Sequence, residues 1–216
     1  MATTFFHLKH IVRLAPVWFA MLAAAGVATA AEKARAPAPA KSQEATALAQ
    51  ARRRVMSARP LAMYYYSDDS RGLKSLAEHA AEMTLVGPQC FKVEADGVVR
   101  GEVPPAVTEA ARRAGLPIMP LVLNPGFDRS IASAMLRSPQ AQERAVSYLA
   151  YLARRENFIG WQLDLEYIDP ADKALYTKFV QRAAARLHRD GRLLSIAVVP
   201  RFSDAYPDTR AAEFRT

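Results

Sequence analysis

The residues of this chain best placed to do chemistry are Gln162, Asp164 and Glu166, which alternate along the apolar run Gly160-Trp161-Gln162-Leu163-Asp164-Leu165-Glu166. Successive side chains of a strand point to opposite faces, so these three share one face and Trp161, Leu163 and Leu165 share the other. Two carboxyls and an amide on a buried strand are costly unless they are paired, hydrogen-bonded or at work. A carboxyl held in such a place can give or take a proton at a reacting bond. The plain alternative is an exposed edge strand with its acids in water. The dense apolar alternate face, and the helical patterns on either side, argue against it.

The elements that must position these acids alternate in type. Strand patterns at 61–66, 89–93, 118–123, 160–166 and 193–199 are separated by helical patterns at 73–84, 104–114, 140–155 and 170–190. Asp96-Gly97 marks a small hairpin after the second strand. Asp169 and Pro170 open the last helix and Gly191 closes it. Repeated βαβ units imply a parallel sheet. The pattern fits either an open doubly wound sheet or a (β/α)8 barrel of which about five units are present. At the carboxyl ends of such strands lies the functional rim, and Asp164 and Glu166 fall there.

The flanking sequence reads differently. Lys9, His10 and Arg13 precede an apolar run over 14–27 that ends in Ala28-Thr29-Ala30, the form of a signal peptide over 1–30. That run falls short of the roughly 20 residues that span a bilayer, so no stable membrane span is expected after cleavage. The stretch 31–59, rich in Ala and Pro with Arg52, Arg53 and Arg54, reads as a flexible basic linker with room for a short helix. Residues 60–216 form the globular part, ample for one core. The formal charge of +8 falls by two, to +6, when Lys9 and Arg13 are removed. A basic exported protein suits an anionic polymer, whereas nucleic acid is not an expected partner because no recognition motif is present. Cys90 reads as a buried structural thiol. His79 and His188 stand on helical stretches, and no cluster has metal-ligand spacing, so neither metal nor cofactor is expected.

The segment Ile159-Gly160-Trp161-Gln162-Leu163-Asp164-Leu165-Glu166 resembles the fourth-strand motif Asp-x-x-Asp-x-Asp-x-Glu of glycoside hydrolase family 18, the chitinase-like (β/α)8 TIM barrels. The last two acids match; Ile159 and Gln162 replace the first two. The run from Tyr167 to Tyr176, with Leu194-Ser195-Ile196-Ala197-Val198-Val199-Pro200, is similar to the bacterial branch active on peptidoglycan and spore cortex. The resemblance covers roughly residues 60 to 216 and implies a barrel truncated after its fifth strand. It further implies an exported, periplasmic or extracellular enzyme that hydrolyses β-linked N-acetylglucosamine in chitin or peptidoglycan. In that scheme Glu166 is the general acid, and Asp164 orients the substrate's 2-acetamido group, whose carbonyl attacks the anomeric carbon. Gln162, Tyr64, Tyr66, Asn124 and Tyr167 are the substrate-binding candidates, although a tyrosine run is also ordinary strand composition. The second reading is a glycan-binding protein of the same fold that does not cleave.

Overall fold

The computed structural model describes residues 40–59, 61–67 and 70–198. The expected signal peptide, Val199 and the end of the chain lie outside them. The described body, within the unit that begins at Pro39, is a parallel sheet with helices.

Strand β1 (Met63–Tyr66) is followed by α2 (Ser70–His79), after an earlier helix α1 (Ala40–Ser57). Then come β2 (Leu85–Val93), β3 (Val99–Gly101), α3 (Pro105–Ala114), β4 (Leu121–Leu123), α4 (Arg129–Arg137) and α5 (Pro139–Arg155). The order ends with β5 (Gly160–Asp164), α6 (Lys173–Arg189) and β6 (Leu193–Ile196). The parallel strands lie in the order β1-β2-β4-β5-β6, and β3 pairs antiparallel with β2. A doubly wound sheet reverses its strand order at a switch point. Among the described strands no such reversal occurs. The hairpin expected at Asp96-Gly97 is the β2–β3 connection. Gly97 N–H donates to Glu94 O, and the glycine takes φ 82°, where a side chain would be strained.

One face of the sheet carries α2 to α6. Tyr66 and Val86 pack with Leu76 of α2 and Val107 of α3, while Val122, Trp161 and Leu163 pack with Leu136, Leu149 and Phe179 of α4, α5 and α6. Trp161 is fully buried, donates its indole N–H to Leu149 O at 2.9 Å, and meets Phe91 and Phe158 edge-on. Burial of that size contributes about 2–3 kcal/mol, with roughly another 1 kcal/mol from each ring pair. Gly160 lets β6 approach: a Cβ there would lie 2.0 Å from Leu193 O.

Within the stretch read as a linker with room for a short helix, residues 40–57 form α1. Beyond the Ala-Pro repeat, the sequence Ala40–Ser57 is proline-free and built of strong helix formers. Leu48, Ala51 and Val55 recur on one face and pack against Met63, Leu85, Met119, Ile159 and Leu193. Each of these partners stands at or just before the start of a strand. Helix α1 therefore covers the amino ends of the strands, and the opposite end carries the acids. Cys90 sits half-buried at an irregularity in β2 rather than deep in the core.

Behind the acids, the start of α6 is tied to α4. Asp172 is buried, accepts from Arg137 Nε at 2.8 Å and is hydrogen-bonded by Ser133 Oγ. Burial pushes the Asp172 carboxyl up, and the Ser133 hydroxyl and Arg137 guanidinium outweigh it, holding the group below its ordinary range. A depressed carboxyl contributes stability above its unfolded value of about 3.9, and that contribution is lost as pH falls through the lower folded value. Arg137 is half-exposed, which weakens the pair. Asp172→Asn is expected to cost about 1–2 kcal/mol in urea unfolding at pH 7. The gap between variant and parent closes below about pH 4.

Candidate active site

Asp164 is the last residue of β5, and Glu166 lies two residues past it at the carboxyl end of the sheet. The expected alternation is observed: Trp161, Leu163 and Leu165 enter the helix-packed core, while Gln162 and Asp164 face the other way. Asp164 is only 7% exposed, and Gln162 and Glu166 are half-buried. Leu121 pairs with Gln162 and Leu123 with Asp164, so β4 sets an apolar side chain beside each polar one.

Glu166 is positioned through its backbone. Asn124, the residue after β4, is wholly buried. Its Oδ1 accepts from Glu166 N–H at 3.0 Å, while its Nδ2 donates to Glu166 O at 3.1 Å and to Asp128 O at 3.0 Å. Both ends of the amide of Asn124, a substrate-binding candidate, are thus engaged by main chain. Just beyond, Tyr167 adopts φ 55°, a left-handed conformation that costs a non-glycine residue about 1–2 kcal/mol. Tyr167, another substrate-binding candidate, is half-buried beside this turn. The strain is offset by the Asn124 clamp on one side and by buried Ile168 on the other.

The tyrosines of β1 divide between the two faces of the sheet. Tyr64 donates its hydroxyl to Gly72 O at 2.8 Å, and Tyr66 is buried among Leu76 and Val107, so both belong to the helix-packed face. The ring on the face of the acids is Tyr65, 51% exposed. Desolvation, followed by the charges of Asp164 and Glu166, raises its phenol above the ordinary value. Three consecutive tyrosines carry no polarity that selects which of them points inward. Register does: Tyr65 pairs with Gly87 and Tyr66 with Pro88.

Two further residues of the site escape the sequence reading. Gln89 of β2 donates from Nε2 to Asp164 Oδ2 at 3.2 Å. Its signal was the one also present at Gln162, an amide inside an apolar strand, which needs a partner. Tyr176, in the second turn of α6, has its phenol pushed up to about 12 by burial and then by the Asp164 charge. The arrangement thus offers an accessible phenol and two carboxyls at one rim, with a backbone clamp under one acid and an amide on the other. Such a group can protonate a leaving oxygen and stabilise a nearby positive centre.

No family model matches the chain. It is 23% identical over 145 residues to the uncharacterized glycosylase YvbX of Bacillus subtilis (strain 168), covering 65% of this chain and 42% of that one. To the cortical fragment-lytic enzyme of the same organism it is 26% identical over 140 residues, covering 62% and 32%. The likeness is to glycosidases. The chitinase from Chromobacterium violaceum ATCC 12472 superposes with a TM-score of 0.58 at 27% identity, over 64% of this chain and 45% of that one. The spore cortex-lytic enzyme SleL of Bacillus megaterium QM B1551 gives 0.63 at 23% identity over 69% and 37%, a likeness of fold. The chain spans less than half the length of each of these relatives.

Asn124→Asp is expected to be as harmful as Asn124→Ala despite its near-identical shape. A carboxylate oxygen in place of Nδ2 would face the carbonyls of Asp128 and Glu166 with no hydrogen to offer. Each variant should lose about 2–4 kcal/mol in urea unfolding, the cost of leaving several buried groups unpartnered.

Proposed function

We propose that the protein is an exported glycoside hydrolase that cleaves β-linked N-acetylglucosamine glycans, chitin or peptidoglycan, by substrate-assisted retaining catalysis. The observation that carries this reading is the placement of Asp164 and Glu166 together at the carboxyl end of β5, with Tyr65 facing both. Glu166 protonates the glycosidic oxygen as the bond to the leaving sugar breaks. The substrate's acetamido carbonyl attacks the anomeric carbon, and Asp164 accepts the acetamido N–H and stabilises the positive oxazolinium that forms. Water then opens the intermediate, with Glu166 taking back a proton. Tyr65 is the ring available to stack on a sugar. The monotonic strand order supports a (β/α)8 barrel of the family 18 type, to which these strands contribute the first five units. The pattern of residues 1–30 supports export to the periplasm or beyond, where such glycans lie.

A second reading, glycan binding without cleavage, has one observation in its favour. Two acids of the family motif are replaced, and Ile159 is buried against Val55 in the apolar floor, where no carboxyl would fit. The two readings part on one assay, reducing-end release from chitooligosaccharides and from purified peptidoglycan. Hydrolysis predicts release by the parent and a loss of about a thousandfold or more in Glu166→Gln, with thermal unfolding unchanged. Full activity in Glu166→Gln contradicts the assignment of the acid. Saccharide binding by both proteins with no product favours the second reading.

A further inference from the structure

We propose that Gln89 is a positioning residue that holds the Asp164 carboxylate for the reaction, an inference that rests on the hydrolytic reading. The contact between them crosses the sheet. Gln89 belongs to β2 and Asp164 to β5, with β4 between, yet Gln89 Nε2 reaches Asp164 Oδ2 at 3.2 Å. Strands two places apart lie about 9.5 Å from one another in a flat sheet. The two side chains bridge the intervening strand β4 on the open face.

The sequence of β2 is arranged to keep this amide in place. Leu85, Gly87 and Gln89 alternate onto the open face, with Gln89 paired to Leu121. Strict alternation would put Phe91 on that face as well. The register shifts between Gln89 and Phe91, and Phe91 turns instead into the core against Phe158 and Trp161. A bulge re-aims a strand in this way. It leaves Gln89 as the last β2 side chain on the open face before the shift, beneath the rim where Asp164 ends β5.

The chemistry explains why an amide serves there. Asp164 is nearly buried beside Leu123, so its carboxylate requires a donor. A lysine or arginine would satisfy it and neutralise it. A neutral N–H donor takes up Oδ2, leaves the negative charge in force for a positive intermediate, and leaves Oδ1 for the substrate's acetamido N–H. Gln89 acts through Asp164, without itself meeting the reacting atoms.

The test compares Gln89→Met, which keeps the length and loses the donor, with the parent, each also in an Asp164→Asn background. In urea unfolding, Gln89→Met should raise the unfolding constant about tenfold next to Asp164. It should raise it only a few-fold next to Asn, because a hydrogen bond to a charged group is the stronger. On a soluble chitooligosaccharide, kcat of Gln89→Met should fall between about tenfold and a hundredfold with KM within about twofold, and this loss should shrink in the Asp164→Asn background. Gln89→Glu, which sets a second carboxylate against Asp164, should fall further. Equal increments in both backgrounds, or parent-like kcat in Gln89→Met, overturn the proposal. If the parent cleaves neither chitooligosaccharide nor peptidoglycan, the hydrolytic reading fails and the positioning role falls with it. The unfolding cycle then still decides whether the Gln89–Asp164 bond exists.

Discussion

The burial of Trp161 constrains every functional group of this protein. With its indole wedged among Phe91, Phe158 and the carbonyl of Leu149, β5 has one permitted orientation. Period-two alternation then places Leu163 and Leu165 in the core and turns Gln162 and Asp164 to the open face. A slip of one residue would bury two acids among the helices and expose three large apolar side chains. The cost of that alternative far exceeds the few kcal/mol by which a domain is stable. The position of the acids is thus set by what lies behind them.

What lies around the acids adds precision to that placement. Beyond β5 the main chain leaves the regular sheet, and a side chain there would be held loosely. Asn124 prevents this by bonding both the N–H and the carbonyl of Glu166, and the left-handed turn at Tyr167 is kept within a framework closed by Asp172, Arg137 and Ser133. Gln89 plays the corresponding part for Asp164. At the far end, α1 seals the strand starts with Leu48, Ala51 and Val55.

Much of this was legible from residue order. The alternation along 160–166 and the short helical turn that Asp169 caps and Pro170 opens ahead of α6 are local features, and local features survive into the fold. Residue order leaves open what a long-range contact decides. Which of Tyr64, Tyr65 and Tyr66 faces the acids depends on the register of β1 against β2. Whether Gln89 faces them depends on the pairing of β2 with β4, which sets Gln89 against Leu121 and which no turn residue announces. The amide of Asn124 is engaged by main chain that stands 4 and 42 residues away, and the second distance is what residue order hides. The mean composition of residues 31–59 hides the apolar spacing of Leu48, Ala51 and Val55 that makes Ala40–Ser57 a packed helix.

The central claim is that Asp164 and Glu166 cleave a glycan with the help of the substrate's own acetamido group. Time-resolved proton NMR of the first product formed from a chitooligosaccharide tests it most directly, run beside the fully deacetylated oligomer of the same length. The account predicts that the new reducing end appears first as the β anomer and that the deacetylated oligomer is left intact, since it lacks the attacking carbonyl. Initial appearance of the α anomer, or cleavage of both oligomers at similar rates, would contradict it.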